Sequence, residues 1–295
     1  MSAAKKITHE FIVDRLDELP TLPSIVYELT QVINDPMSST KDIEKIMSND
    51  QSLTTKVLKL VNSAYYAIPG GVSSLSRAIA YIGFDAIQQL VLGSSIIEAL
   101  DVKGPSQFDI NEFWKHSIGV AMAAETIAKI TRHAMPSDMF TCGLVHDMGK
   151  VALYTISPES VVEISNYAKD KKLSYSESEK ELEYPSHTLI GKLLGEKWSL
   201  PISIQAVIKN HHQQDVNLRG GLSADLNNSV DIILLANLLV HALKFGNSGH
   251  NKVLGAPKDV MARLAIDPQK DFKNIVAEIK KSLDKAEDFI RVLCG

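Results

Sequence analysis

The residues with the most chemical potential in this 295-residue chain lie between positions 112 and 212. The segment Cys142-Gly-Leu-Val-His-Asp-Met-Gly-Lys150 sets His146 and Asp147 inside an apolar run of Leu144, Val145, Met148, Val151 and Leu153. A carboxylate buried in such a run is costly unless it meets a hydrogen-bond donor, a cation or a metal. Neighbouring His and Asp side chains can converge on one ion, the first through a ring nitrogen and the second through oxygen. The plainer reading makes Asp147 a helix cap.

Other histidines extend the pattern. Glu112 and His116 are four apart and share a helix face, and Gly119, Ala123 and Ala124 leave room for something to approach it. For that pair alone the plainer reading is a capping Glu and a surface or core His. His187 opens a helix expected over 186–198, as a ligand or as a first-turn polar residue. His211 and His212 close an amphipathic run of Ile202, Ile204, Val207 and Ile208, where rings can ligate or can bond the free carbonyls of the helix end. Lys150, which ends the same His-Asp-x-Gly-Lys run, has the plain reading of a solvated lysine at a helix end. Together these make five histidines and two carboxylates in one half of the chain. Imidazole with carboxylate suits transition ions, Fe or Mn first and Zn or Ni next, better than Mg or Ca. His9, His133, His241 and His250 lack such company and read as ordinary residues.

The elements that must carry these residues are helical. Ile43, Ile46, Met47, Leu53, Val57, Leu58 and Val61 recur at threes and fours, as do Ile79, Ile82, Ile87, Leu90 and Val91. Strand-like alternation is scarce, so the fold class is all-α, a multi-helix bundle. Ser39-x-x-Asp42, Asp109-x-x-Glu112 and Ser174-x-x-Glu177 read as capping boxes. Ser157-Pro158 and Asp267-Pro268 place proline at a first helical position. Breaks fall at Asp35-Pro36, Pro69-Gly70-Gly71, Gly104-Pro105 and Gly220-Gly221.

Residues 102–108 are the candidate boundary, giving an N-terminal helical subdomain over 1–104, a histidine-bearing one over 105–250 and an extension over 251–295. Residues 10–250 also read as a single unit. The polar stretch 213–229 reads as a long loop. Phe272, Ile275, Val276, Ile279, Leu283 and Phe289 form a stripe that reads as core packing.

Bulk composition narrows the partners. The chain is 45% hydrophobic and 22% charged, with a net charge of −4 and no basic block, so nucleic acid is not expected. The two cysteines, Cys142 and Cys294, make no disulfide framework. The most apolar run, 232–243, is interrupted by Asn237 and His241 and falls short of the roughly 20 residues of a membrane span. A cytoplasmic protein without a membrane partner is the expectation; the oligomeric state is left open.

The N-terminal half resembles the HDOD (HD-related output) domain of bacterial signalling proteins. The matching text is Leu19-Pro-Thr-Leu-Pro23, Ser48-Asn-Asp50 with Leu53, Leu58-Lys-Leu-Val-Asn-Ser-Ala-Tyr-Tyr66, then Ser74, Ala78-Ile79 and Ile82-Gly83. It covers about residues 12–245. The resemblance implies a regulatory output module that works by binding signalling proteins. The wider HD superfamily comprises metal-dependent phosphohydrolases whose pattern is a His, a His-Asp pair and a later Asp. His116 and His146-Asp147 match the first two, but where the later Asp would fall, in 232–240, the chain offers Asn237. A second resemblance is to the HD-GYP phosphodiesterases of cyclic dinucleotides, whose two-metal sites add residues placed like Glu112, His187 and His211-His212. Their Gly-Tyr-Pro element is replaced here by Gln213-Gln-Asp-Val. The resemblance thus implies metal ligands at His116, His146, Asp147, His187, His211 and His212, with Glu112 and Asn237 as further candidates. It implies a regulatory protein, with metal-dependent phosphohydrolase as the alternative, in which Glu112 would be a ligand or base and Lys150 a point charge that steers phosphate.

Overall fold

Local sequence chemistry sets most helix ends. The computed structural model describes residues 7–34, 37, 39–100 and 108–294, and every regular element among them is helical. The first half supplies α1 (His9–Arg15), α2 (Ser24–Asn34), α3 (Thr40–Met47), α4 (Gln51–Val61), α5 (Leu75–Ile82) and α6 (Phe84–Ala99). The second supplies α7 (Ile110–Thr131), α8 (Pro136–Val145), α9 (Met148–Ile156), α10 (Pro158–Lys171), α11 (Tyr175–Glu181), α12 (His187–Lys197), α13 (Ile202–Asn210) and α14 (Ala224–Ala242). The C-terminal helices are α15 (Lys258–Arg263), α16 (Phe272–Leu283) and α17 (Ala286–Cys294). The expected boundary at 102–108 lies, apart from Phe108, outside the described residues, as do the breaks at Asp35-Pro36 and Gly104-Pro105.

Two of the three expected capping boxes form. The Asp42 carboxylate accepts the Ser39 N–H at 2.8 Å, and Glu177 accepts the Ser174 N–H at 2.7 Å. The third is one-sided: Asp109 accepts the Glu112 N–H at 3.0 Å, but the Glu112 side chain turns to Lys115 instead of reaching back. Pro158 does start α10. Pro268 does not start a helix. The Asp267 carboxylate takes the N–H groups of Gln269 and Lys270, which closes a turn, and α16 begins only at Phe272. The long loop expected over 213–229 is also shorter, because Ser223 caps α14 and Asn227 and Ser229 bond backward along that helix. Polar side chains on the first turns of α14 imitate a loop in sequence.

The core is built around α7. Its buried residues lie all round the helix, the signature of a central element. It packs against α8, α14 and α16. Gly143 lets α8 touch it: a Cβ there would stand 2.7 Å from the Ala121 Cα. Arg132 ends α7 in a left-handed C-cap, with its N–H on the Ala128 carbonyl at 2.8 Å. The C-terminal stripe is core, as its pattern indicated: Ile275, Ile279, Leu283 and Phe289 are buried. Phe289 packs edge-on to Tyr65 and Phe140 and so joins α17 to both halves. The α12–α13 corner meets the N-terminal half through Trp198 Nε1, which donates to the Pro20 carbonyl at 2.9 Å. No single helix among the described residues is long and apolar enough to cross a membrane.

One crossing decides where the chemistry lies. The helix α9 crosses α12 at Gly149, where any Cβ would collide with the His187 carbonyl oxygen and the Gly191 nitrogen. The backbones touch, and His187 is thereby delivered beside Asp147. Gly246 makes a second close approach. It adopts φ +70 and lies against the backbone of Glu112 and His116, folding residues 245–250 over the N-terminal turns of α7.

Candidate metal centre

His146 and Asp147 occupy the short break between α8 and α9. Both are essentially sealed from solvent. Asp147 is the positional N-cap of α9, but its side chain makes no capping bond. It looks inward. Its Oδ1 lies 3.2 Å from His187 Nε2 and 3.4 Å from His211 Nε2. Its Oδ2 accepts from Lys150 Nζ at 2.6 Å and lies 3.4 Å from His146 Nε2. His187 Nε2 stands 3.1 Å from His212 Nε2 and 3.4 Å from His211 Nε2.

The backs of the rings explain which nitrogens face inward. His146 Nδ1 donates to the Gly143 carbonyl at 2.7 Å, and His211 Nδ1 to the Ile208 carbonyl at 3.0 Å. His187 Nδ1 donates to Glu179, 2.9 and 3.0 Å from its two oxygens. An Nδ1–H anchored in this way leaves Nε2 as a bare lone pair. The carbonyl-capping role and the inward-facing role of His211 are therefore one arrangement. Asp147 Oδ1, His146 Nε2 and His116 Nδ1 are all buried without a hydrogen-bond partner. Buried acceptors left in this state are expensive. The group Asp147, His187, His211 and His212, and the group His116, His146 and Asp147, each bring their donor atoms within 4.8 Å of one another. The first set, three imidazoles and a carboxylate, suits a transition ion.

Electrostatics sharpen the picture. Burial would raise Asp147, but Lys150 and His146 outweigh it and hold its carboxyl well below the usual range. Burial pushes His211 down to about 4 and His116 to about 3, keeping both rings neutral, the form a metal needs. Burial also disfavours a charged His187, yet Glu179 and Asp147 prevail and raise it above the ordinary histidine value.

The other candidates lie as follows. His116 is buried on α7, and its Nε2 meets Asn237 Oδ1 at 2.9 Å. With the amide oxygen accepting, that nitrogen carries the proton. His212 is exposed and brings the cluster to the surface. Glu112 is not brought in: its side chain is 42% exposed and pairs with Lys115 at 3.4 Å. It shares a face with His116, but α7 emerges from the core within that one turn. Lys150 fits neither sequence reading. It is buried, and its three N–H groups meet Asp147 Oδ2, the Ser248 carbonyl at 3.0 Å and Ser248 Oγ at 3.3 Å. The face of Tyr175 covers it at 4.6 Å.

Several participants escape the sequence reading. Glu179 has no spacing rule that ties it to His187. His241 and His250, read as ordinary, stack in a row on His116 with ring centroids 4.3 and 4.2 Å apart. A signal for His241 existed, since it lies four residues after Asn237 and shares its helix face. Asp231, the carboxylate nearest the stretch where an Asp ligand was sought, is used elsewhere. It is buried between Arg219, at 2.5 Å, and Arg263, at 2.6 Å.

Comparison with known proteins gives the family and the fold. The sequence profile of the HDOD domain family matches residues 19–214. An uncharacterised protein of Treponema pallidum (strain Nichols) is 28% identical over 202 residues, which cover 68% of this chain and 39% of that protein. The chain thus spans well under half the length of that relative. A crystal structure of an HDOD domain protein of unknown function from Geobacter sulfurreducens superposes with a TM-score of 0.80 at 25% identity, over 96% of each chain. A protein from Shewanella amazonensis SB2B, proposed to be a phosphohydrolase, shares the fold with a TM-score of 0.72 at 22% identity, over 96% of this chain and 97% of that one.

Proposed function

We propose that this chain, which belongs to the HDOD family, is a regulatory signal-transduction module that acts by binding another signalling protein and holds a transition-metal ion in its His/Asp centre. One observation carries the choice of regulation over catalysis. The cation best placed to meet a phosphate, Lys150, is buried and spends all three donors on Asp147 and Ser248. The residue standing where the superfamily uses an Asp is the neutral Asn237, bonded to His116. The donor atoms of Asp147, His187, His211 and His212 converge, while Lys150 is turned inward and Asn237 stands in place of an acidic ligand. Such an ion contributes folding energy, since the site does not exist in the unfolded chain.

Two measurements test the reading. Elemental analysis of protein grown with Fe and Mn checks occupancy; no transition metal would end the metal-centre claim. Pull-downs from the native host with wild-type chain and with His146→Ala check the rest. A partner retained by both supports a separate docking surface, whereas partner loss with intact folding would make the centre part of the interface.

The alternative, a metal-dependent phosphohydrolase, draws on the exposure of His212, which gives the centre one face to solvent. A bound ion would supply a hydroxide nucleophile at neutral pH. His187 and His211 would be held by Glu179 and the α13 carbonyls, and Asp147 by Lys150. Turnover of cyclic dinucleotides, nucleotides or simple phosphate esters by metal-loaded chain, abolished in Asp147→Ala, would favour it over the regulatory reading.

A further inference from the structure

The two oxygens of Asp147 face unlike surroundings. Around Oδ1 stand His187 Nε2 and His211 Nε2, with His212 Nε2 3.1 Å from the first of these. The second negative charge on this side, Glu179, lies directly behind His187. Around Oδ2 the charge is already balanced, because the Lys150 ammonium sits 2.6 Å away. Beyond it come three stacked neutral imidazoles, His116, His241 and His250, and the uncharged Asn237.

We propose that the chain holds one ion, on the Oδ1 side among Asp147, His187, His211 and His212, and that Lys150 and Asn237 close the His116 side to a second. The proposal rests on the metal reading above and assigns its stoichiometry and place. A divalent ion sharing Oδ2 would lie beside a buried ammonium, where repulsion is only weakly screened. Among the described residues, the donor group on that side, His116, His146 and Asp147, includes no second carboxylate. His116 has Nε2 committed to Asn237. What remains there is the unpartnered His116 Nδ1 and His146 Nε2, two ring nitrogens facing an internal cation. On the Oδ1 side a second carboxylate, Glu179, stands behind His187, and the Nε2 atoms of His187, His211 and His212 converge.

This arrangement turns the superfamily pattern around. The half built on His116 and the later acidic position is the one sealed by the chain's own side chains. The half added by His187 and the His211-His212 pair is the one left able to bind. Lys150 then serves as a fixed cation in place of an ion.

The test is a titration of the chelator-treated full chain with Co2+, read by ligand-field absorption and elemental stoichiometry, with circular dichroism to verify folding. One Co2+ per chain is expected for wild type and for His116→Gln. His212→Ala, at an exposed position, is expected to weaken binding at least tenfold. The double variant Lys150→Met with Asn237→Asp is expected to bind two. Two ions in the wild type would overturn the proposal while leaving the metal reading intact; none would overturn both. Unchanged affinity in His212→Ala would put the ion elsewhere. A folded double variant that still binds one would refute the closing role of Lys150 and Asn237.

Discussion

Glu179 grips His187 at two points: its Oε1 accepts the His187 backbone N–H at 2.7 Å, and both oxygens accept the Nδ1–H at 2.9 and 3.0 Å. One carboxylate therefore fixes both the start of α12 and the orientation of the ring. Outer partners of this kind commonly account for about 10- to 100-fold in metal affinity. Glu179→Gln keeps the shape but removes the charge and allows the amide to present an N–H. A loss of Co2+ affinity in that range, with near-native circular dichroism, is the expected outcome. Unchanged affinity would make the contact purely structural.

The crossing at Gly149 makes a separate prediction. An added Cβ meets the backbone of His187 and Gly191, which cannot rotate away. Gly149→Ala should destabilise the chain by about 1–3 kcal/mol, as overpacking does. It should also push α12 outward and weaken metal binding, because His187 rides on the displaced turn. The control is Gly195→Ala on the same helix, where a Cβ meets neighbours at 3.6 Å or beyond. Denaturant melts and Co2+ titration of both variants read the difference.

How far the sequence carries depends on whether the signal is local. The capping boxes at Ser39 and Ser174, the proline start of α10 and the C-terminal stripe are short-range patterns, and they read correctly. The Asp267-Pro268 start misleads because a local side-chain turn competes with the helix over four residues. The inward set His146, Asp147, His187, His211 and His212 was legible as residue types, but its meeting depends on the Gly149 crossing. Glu179 and Ser248 were invisible, since each reaches the centre from a short helix or a strap with no periodic mark. Lys150 was misread for a related reason: the acceptor pair on Ser248 lies 98 residues away.

The Glu177–Lys252 pair should leave a mark on acid stability. Lys252 Nζ lies 2.7 Å from both Glu177 oxygens, and together with Ser174 it pulls the carboxyl down to about 2. A depressed carboxylate stabilises the fold above its unfolded value near 4.5, and that contribution fades as pH falls toward 2. Since Glu177 is 46% exposed, solvent screening keeps the effect small. Glu177→Gln should therefore melt slightly below wild type at pH 7, with the gap closing between about pH 4.5 and pH 2. A gap that is constant across that window would mean the pair contributes no charge-dependent stability.

The buried triad of Arg219, Asp231 and Arg263 ties stability to the centre. Arg219 donates to Asp231 Oδ1, to the Gln213 carbonyl at 2.9 Å and to Asn227 at 3.2 Å, so it pins the segment that follows His212. Arg263 completes the Asp231 carboxylate from α15. Removing one partner of a buried pair strands the remaining charge, at a cost of about 3–5 kcal/mol. Arg219→Met should fall near the lower figure, because Arg263 still holds Asp231. The same variant removes the ties to Gln213 and Asn227, so His212 should be held less firmly and Co2+ affinity should drop. Arg263→Met removes charge from the opposite end together with one tie, from Arg263 to the Gln214 carbonyl at 3.1 Å, and leaves the Arg219 ties to Gln213 and Asn227 in place. It should lower the melting temperature with a smaller loss of metal affinity than Arg219→Met. Equal affinity losses in the two variants would show that the centre responds to global stability alone and that the Arg219 tie has no separate role.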